Sequence, residues 1–293
     1  MITSEVTYEN FDWKKYVIIN KLQNSCNNKK DTWYHWKNFG EKEGRPFSLV
    51  NNSRVHHARF GNLFFVNLVV HFICLKTKLK FDYKYYNEFK SLGIDLFIGD
   101  CTFKENLTLS DENFFLIMMG DNEIHKNLII KNNSWFQTKD YCIFLNEYFS
   151  IEKIRGKIIK KNAFKSRYKT NNDVFIHVRL GDIQDKGNNS FEYYNNILEK
   201  MKFDKGFISS DTIDSQICMK LIDKYKLSVI NENEIKTIMF ASTCNNIVLS
   251  GGTFSWLIGF LAFYSKYIYY PMDKKDKWYG DIFIFDNWIG ISE

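Results

Sequence analysis

The chain has 293 residues, a formal net charge of +6 and a hydrophobic content of 45%, with aromatic residues alone at 17%. These values provide enough apolar surface for a packed core and exclude a disordered or collagen-like protein. The length fits two domains of ordinary size, or one large domain with an appendage.

The cysteines and the most apolar stretches indicate the compartment. The six cysteines are widely spaced, so there is no C-x-x-C pair, and the first ten residues lack the features of a signal peptide. The two most apolar stretches, residues 60–75 and 253–264, are shorter than a membrane-spanning helix. We therefore expect a cytoplasmic protein with reduced thiols and no transmembrane segment.

The basic charge does not by itself predict a nucleic-acid partner. Of the 40 basic residues, 34 are lysine, and the chain is also rich in Asn and Ile. This composition is typical of an A/T-rich genome, so we expect no nucleic-acid partner, although an acidic ligand such as a nucleotide remains compatible.

The pattern of residues 1–48 predicts a small helical appendage. Asp12 and Asp31 each precede an aromatic-rich helical pattern, as N-cap residues do, and Gly40 interrupts the second pattern. The segment is too short to be stable alone, so we expect its tryptophans and tyrosines to pack on the rest of the chain.

The pattern of residues 49–165 predicts a first domain with a long helix over residues 62–76. Three short runs in this segment have the composition of strands: residues 79–83, 96–98 and 114–118. The basic segment 153–169 is weakly patterned, and we interpret it as the connection between two domains.

Residues 166–293 predict a second Rossmann-like domain, because strands and helices alternate strictly. The predicted strands are residues 174–178, 206–209, 227–230, 246–249 and 267–270, and the predicted helices are residues 191–201, 212–225, 234–244 and 253–264. Apolar strands alternating with helices indicate a doubly wound parallel sheet. Such sheets bind ligands beyond the carboxyl ends of their strands, so polar residues should follow each strand.

The first predicted strand ends in H-V-R-L-G-D, residues 177–182. His177 and Arg179 are two residues apart and leave the same face of the strand, while Gly181 and Asp182 begin a turn. An arginine at this edge suits a bidentate clamp on a pyrophosphate. An ion pair between Arg179 and Asp182 beside a core histidine is an equally good interpretation of these residues.

The fourth strand ends in S-G-G-T-F-S-W, residues 250–256. Gly252 lets the backbone approach a ligand, and the hydroxyls of Ser250, Thr253 and Ser255 surround the start of the next helix. Free N–H groups and hydroxyls at a helix start form an anion site. The alternative is a glycine turn with a threonine cap.

Asp211 follows the second strand and has two interpretations. Its carboxylate could accept hydrogen bonds from the N–H edge of a guanine, or it could be the N-cap of the helix predicted over residues 212–225.

The third cluster, A-R-F-G-N, contains Arg59, Gly61 and Asn62 at the start of the long helix. It has no G-x-G-x-x-G fingerprint, and the adjacent His56 and His57 do not have the spacing of metal ligands. The chain also has no D-x-D motif, so we expect no metal, and Arg179 with the glycine turn would supply the positive potential.

These three motifs together resemble those of fucosyltransferases. H-V-R-L-G-D is similar to the H-x-R-R-x-D motif of α1,2-, α1,6- and protein O-fucosyltransferases, and R-F-G-N resembles the corresponding turn of the protein O-fucosyltransferases. S-G-G-T-F-S-W resembles the S-N-S-x-F-S-W-W block of α1,2-fucosyltransferases. The motifs occur in the family's order and cover about residues 54–270.

The resemblance implies a GT-B fold, with two facing Rossmann-like domains, and an inverting, metal-independent transfer of L-fucose from GDP-fucose to a glycan hydroxyl, with an α1,2 linkage. The partners would be the nucleotide-sugar donor and a glycan acceptor, and no cofactor is implied besides the donor substrate. Residues 49–165 would form the acceptor side and residues 166–293 the donor side.

The resemblance also implies roles for individual residues. Arg179 would stabilise the leaving GDP, Asn62 would face the sugar or acceptor across a cleft, and Asp182 is the first candidate for a base, with a structural role as its alternative. The donor would be held by residues of all three motifs: Arg59, Gly61, His177, Arg179, Asp211, Ser250, Gly252, Thr253, Phe254 and Ser255. His177 and Asp211 would meet the guanosine.

Three departures from the family pattern keep two other hypotheses open. Leu180 replaces the second arginine, Gly251 and Gly252 replace the N-S of the third motif, and Leu257 replaces its second tryptophan. One alternative is a GT-B transferase that uses another nucleotide-activated sugar. The other is a non-catalytic glycan- or nucleotide-binding protein on the same scaffold.

The appendage has a resemblance of its own. The patterns D-W-x-x-Y and H-W-x-x-x-G-x-x-E-G-R within residues 1–48 are similar to small helical modules of giant-virus glycosyltransferases. A viral origin would place the protein in the host cytoplasm.

Overall fold

A computed structural model describes the following parts of the chain: residue 8 and residues 11–20, 22–43, 58–120, 124–181, 189–273 and 280–292. The structure is mixed α/β with parallel sheets, and it divides into two compact units. Unit 1 comprises residues 1–58, 67–84 and 97–134, and unit 2 comprises residues 59–66, 85–96 and 135–293. The units alternate along the chain, whereas the predicted domains are contiguous; the boundaries at residues 48 and 165 stay predictions.

Unit 2 contains a parallel sheet of six strands within the described residues. In chain order the strands are β3 (Val174–Val178), β4 (Gly206–Ser210), β5 (Ser228–Val229), β6 (Asn246–Val248), β7 (Tyr267–Pro271) and β8 (Trp288–Ile291). Their spatial order is β5-β4-β3-β6-β7-β8, and every neighbouring pair is parallel. This arrangement, third-second-first-fourth-fifth-sixth, is the strand order of Rossmann-like doubly wound folds.

The central strand β3 is fully buried, which explains its continuous run of apolar and β-branched residues. Val174, the first residue of β3, lies opposite Gly206 of β4 on one side and opposite Asn246 of β6 on the other. The five strands predicted in this part of the chain are confirmed, although β5 is only two residues long. The edge strand β8 was not predicted.

Unit 2 contains seven complete helices within the described residues, and several of them begin with a side-chain N-cap. They are α4 (Tyr86–Leu92), α6 (Lys139–Ser150), α7 (Glu152–Lys161), α8 (Phe191–Leu198), α9 (Gln216–Tyr225), α10 (Glu234–Ala241) and α11 (Thr253–Phe260). The side chains of Thr138, Ser190 and Asn233 accept hydrogen bonds at the starts of α6, α8 and α10. The helices predicted for residues 191–264 are confirmed. α8, α10 and α11 end three or four residues earlier than predicted, and α9 begins four residues later.

The segment 153–169 has regular secondary structure, and its interpretation as a connection between two domains stays a prediction. Residues Glu152–Lys161 form α7, and Lys165–Arg167 form a 3-10 turn. The segment was weakly patterned because Ile158 is the only fully buried residue of the helix, so few apolar positions mark its inner face.

Unit 1 contains the amino-terminal helices and a small parallel sheet. Its elements are α1 (Trp13–Ile19), α2 (Lys29–His35), a π-helix (Trp36–Gly40), α5 (Phe114–Met119), β1 (Glu105–Leu109) and β2 (Lys126–Ile130). The N-cap of α2 is Asn28, whose Oδ1 accepts from the Asp31 amide, so the assignment of Asp31 as N-cap is wrong. The rings of Phe11, Tyr16 and Trp36 form a buried cluster in the amino-terminal segment.

The three strands predicted for unit 1 and its surroundings are wrong. Residues 79–83 and 96–98 are irregular apart from one isolated bridge between Leu79 and Cys101, and the run at 114–118 is the helix α5. In α5 only Phe114 and Met118 are buried, one helical turn apart, while Leu116 is 77% exposed. A short apolar run does not distinguish a strand from a helix by composition.

Helix α3 (Phe60–Thr77) confirms the predicted long helix. Among the described helices it is the one long and apolar enough to cross a membrane, but most of it is buried within the protein, as in a core helix. Its first residues, to Val66, belong to unit 2, where the Tyr141 hydroxyl donates to the Phe65 carbonyl at 3.2 Å and Phe65 packs on Trp256.

Candidate functional site

The candidate site lies in unit 2 at the carboxyl ends of β3, β4 and β6. β3 and β6 are neighbours although β4 and β5 intervene in the chain, so the strand order reverses between them. In doubly wound sheets this switch point leaves a crevice in which ligands bind. Arg179 follows β3, Asp211 follows β4 and Ser250 follows β6, so the predicted residues share one edge of the sheet.

A buried hydrogen-bond chain joins the two central strands to α11. Nδ1 of His177 lies 2.9 Å from Oγ of Ser250, and the Ser250 amide donates to Oγ of Ser255 at 2.7 Å. All three residues are buried. Their polar groups therefore hold the strand ends and the first turn of α11 in one arrangement.

His177 is uncharged in this position. Burial lowers its pKa to about 4; the positive charge of Arg179 acts in the same direction, while Asp211 opposes it. The ring also packs against Phe254, with centroids 5.3 Å apart. This burial agrees with the interpretation of His177 as a core histidine, and its predicted contact with guanosine stays a prediction.

The turn before α11 brings Arg179 against its backbone. A Cβ atom at Gly252 would lie 3.2 Å from Nη1 of Arg179. Gly251 has a φ of +82°, which favours glycine. Gly252 is the N-cap of α11 and has no side chain with which to cap it. The guanidinium and the first-turn amides thus lie together, as a site for a phosphate requires.

Asp211 holds the turn that follows β3. Its Oδ1 accepts from the amides of Leu180, at 3.0 Å, and Gly181, at 3.2 Å, and its Oδ2 lies 3.8 Å from Nη1 of Arg59. The N-cap interpretation of Asp211 is wrong, because α9 begins at Gln216 and is capped by Ser215. Its predicted pairing with guanine stays a prediction.

The start of α3 lies against the start of α11. A Cβ atom at Gly61 would lie 2.5 Å from the amide nitrogen of Phe254, so only glycine permits this approach. Oδ1 of Asn62 accepts from Oγ1 of Thr253 at 2.8 Å and from Nε2 of Gln137 at 3.1 Å. The two helix starts are therefore linked by hydrogen bonds as well as by contact.

Gln137 is a site residue that sequence reasoning missed. It is buried, and it precedes α6 in a segment with no motif, so its role is evident only from its bond to Asn62. Oδ1 of Asn62 already accepts two hydrogen bonds, so the group left for a ligand is Nδ2. The described residues provide no hydrogen-bond partner for this Nδ2. Gln137 thereby sets which end of the Asn62 amide is available to a ligand.

Other predicted residues have different outcomes. Asp182, His56 and His57 lie outside the described residues, so the proposed base and the alternative ion pair with Arg179 stay predictions. Leu180 is buried in the apolar core beneath the site, beside Val178. Among the described residues, no group of three or more His, Cys, Asp or Glu side chains could hold a metal ion.

The described part of the site carries charges of both signs. Arg59 and Arg179 carry two positive charges, Asp211 carries one negative charge, and the amino end of α11 adds a positive dipole end. Comparison of the sequence with protein-family models and with curated proteins finds no match. The functional argument therefore depends on these residues and their geometry.

Proposed function

We propose that the protein is an inverting, metal-independent glycosyltransferase with a GT-B architecture, which moves L-fucose from GDP-fucose to a glycan hydroxyl, with an α1,2 linkage. In this proposal unit 2 binds the donor nucleotide. The observation that carries it is the position of the Arg179 guanidinium against Gly252 at the start of α11, at the switch point of the sheet.

In this proposal most of the donor-binding residues contact the pyrophosphate. When the sugar leaves, negative charge develops on the β-phosphate of GDP. Arg179 would stabilise this charge with two parallel N–H groups, and the amides of Thr253, Phe254 and Ser255 would donate from the helix start. A transition-state charge held by fixed donors in this way lowers the barrier.

The sugar end would meet the start of α3. Asn62 offers Nδ2 to a sugar hydroxyl, while Thr253 and Gln137 hold its Oδ1. Arg59 and Gly61 belong to the same turn, and the exposed Arg59 can reach a phosphate oxygen. Asp182 is proposed as the base that accepts the proton of the acceptor hydroxyl.

A second candidate, a GT-B transferase for another nucleotide-activated sugar, is favoured by one observation. Leu180 occupies the position of the second motif arginine and is buried in the core. The second arginine of the fucosyltransferase motif is thus replaced by an apolar packing residue, which removes a reason to choose fucose over other sugars.

The test is a panel of donors with product detection by mass spectrometry. The protein is incubated with a glycan acceptor and, separately, with GDP-fucose, GDP-mannose, UDP-glucose or UDP-galactose, each with and without EDTA. We expect a fucosylated product that is unaffected by EDTA. Transfer from a different donor would establish the second candidate, and GDP binding without any transfer would indicate a binding protein.

A further inference from the structure

The net charge of the protein is concentrated in one short segment. Residues 152–169 contain eight basic residues and one acidic residue, a net charge of +7, while the whole chain carries +6. The rest of the chain is therefore net −1. A general lysine bias of the composition does not explain this distribution, because elsewhere acidic residues balance the lysines.

Helix α7 of unit 2 presents most of this charge on one face. Lys153, Lys157, Lys160 and Lys161 are exposed, and at 100° per residue they lie within an arc of about 100°. The buried Ile158 lies outside this arc, about 110° around the helix from its centre. The lysines thus form one continuous surface, which we call the α7 lysine face.

Few described carboxylates neutralise this face. Asp95 of unit 2 forms an ion pair with Lys157, and Glu152 lies in the first turn of the helix. Lys165 extends the face, since its ammonium donates to the carbonyl of Lys160 at 3.3 Å.

The two arginines of the segment have other environments. Arg167 forms an ion pair with Asp173 at 2.8 Å, donates to Thr243 and lies over the ring of Phe240, so its role is structural. Arg155 is half-buried on the side of α7 away from the lysines. The exposed charge is therefore carried by lysine alone.

We propose that the α7 lysine face docks the protein on an anionic lipid surface. Clusters of four or more lysines on an amphipathic helix are attracted to anionic headgroups. Ile151, which is 51% exposed directly before the helix, supplies an apolar side chain for the interface. This proposal is independent of the proposed transfer reaction.

A nucleic acid fits the face less well. Sequence-tolerant nucleic-acid sites interleave basic residues with aromatic rings on which bases stack, and α7 contains no aromatic residue. Bidentate phosphate contacts also favour arginine, and both arginines of the segment lie away from the face.

The test is co-sedimentation of the full chain with vesicles of phosphatidylcholine, with and without phosphatidylserine. The test variant is Lys153→Gln/Lys160→Gln/Lys161→Gln. The control variant is Lys200→Gln/Lys202→Gln/Lys220→Gln, which removes the same charge from exposed lysines elsewhere in unit 2. Melting curves of both variants show that the fold is intact.

We expect the protein to bind only the vesicles with phosphatidylserine, and added salt to weaken the binding. The test variant should bind about a hundredfold more weakly, at roughly fivefold per lysine, while the control variant stays within a few fold of the original. Absence of binding to the anionic vesicles, or an equal loss in both variants, would overturn the proposal. Binding of single-stranded RNA that depends on the same three lysines, without vesicle binding, would replace the lipid with a nucleic acid.

Discussion

The guanidinium of Arg179 has a position and a shape that other side chains do not reproduce. Arg179→Ala should reduce GDP affinity by about tenfold to a hundredfold, because one or two charge-assisted hydrogen bonds to phosphate are lost. Arg179→Lys should recover little of the lost GDP affinity, since an ammonium is a single point charge rather than a planar fork. Calorimetry with GDP measures both effects.

The matched control for Arg179 is Arg155→Ala, which removes a half-buried arginine of α7 in the same unit. It should leave the GDP affinity unchanged. If Arg179→Ala binds GDP as well as the original protein does, Arg179 does not hold the leaving group.

Asp211 can be tested with a substitution that keeps its structural hydrogen bonds. Asp211→Asn retains an oxygen for the amides of Leu180 and Gly181, and loses only a long ion pair with the exposed Arg59. We expect the variant to fold and to lose about tenfold of its preference for GDP over UDP, because the amide presents N–H groups to guanine N1–H. Thermal shifts with both nucleotides measure this preference. An unchanged preference would mean that Asp211 only holds the turn. The assignment of guanine as the base of the donor would then depend on the family resemblance alone.

Two buried histidines make the stability of the protein depend on acid. Burial lowers the pKa of His177 to about 4, and burial likewise lowers the pKa of His71 to about 4. Between pH 6.5 and 4 the unfolded chain binds a proton at each position that the folded chain does not, so the free energy of unfolding falls as the pH falls. Each histidine should contribute up to about 3 kcal/mol to this loss, and neither contributes above pH 6.5.

Urea denaturation at several pH values measures the slope of the free energy of unfolding against pH. His177→Gln should reduce the slope between pH 4 and 6.5 by about one proton, and His71→Gln by the same amount. A slope that persists in the double variant would assign the acid sensitivity to other groups.

At the scale of the elements, the contact between the starts of α3 and α11 depends on one glycine. Gly61→Ala would place Cβ 2.5 Å from the Phe254 amide nitrogen and must push the two helices apart. We expect a loss of about 1–3 kcal/mol of stability and weaker GDP binding, because the first turn of α11 moves. Thermal denaturation and calorimetry measure the two effects.

Gly156 of α7 supplies the control for this substitution. It is also a helical glycine, but no atom lies within 4 Å of its Cβ position. Gly156→Ala should therefore stabilise the protein by about 0.5–1 kcal/mol through the unfolded state and helix propensity. If both alanine variants are stabilised, the close approach at Gly61 is more tolerant than its geometry indicates.

Continuous burial made β3 the clearest prediction, whereas sparse burial accompanies the error at α5 and the unpredicted helix α7. In β3 all five residues are buried, so the apolar run had one interpretation. In α5 and α7 only one or two residues per helix are buried, which leaves a pattern too sparse to distinguish strand, helix and loop. The end strand β8 was missed because its G-containing run, W-I-G-I, is short and lies near the chain end.

At the scale of the whole molecule, the functional residues and the amino-terminal helices belong to different units. Every described site residue lies in unit 2, whereas residues 1–48 belong to unit 1. Removal of residues 1–48 should leave the GDP affinity within about twofold of that of the full chain, because every described site residue belongs to unit 2, while acceptor use or solubility should fall. Calorimetry with GDP and transfer assays measure the two quantities. A folded truncated protein that has lost GDP binding would show that the appendage contributes to the donor site.

The sequence by itself determined the alternating strands and helices of residues 174–271 and the edge of the sheet at which His177, Arg179, Asp211 and Ser250 meet. These followed from local rules, since periodicity, helix starts and the residue after each strand are read within a few positions. Only the tertiary structure decided the partners of these residues. The bond between His177 and Ser250, the bonds from the Leu180 and Gly181 amides to Asp211, and the bonds from Thr253 and Gln137 to Asn62 join positions 30 to 191 residues apart. Such contacts depend on how elements pack in space, and no spacing along the chain encodes them.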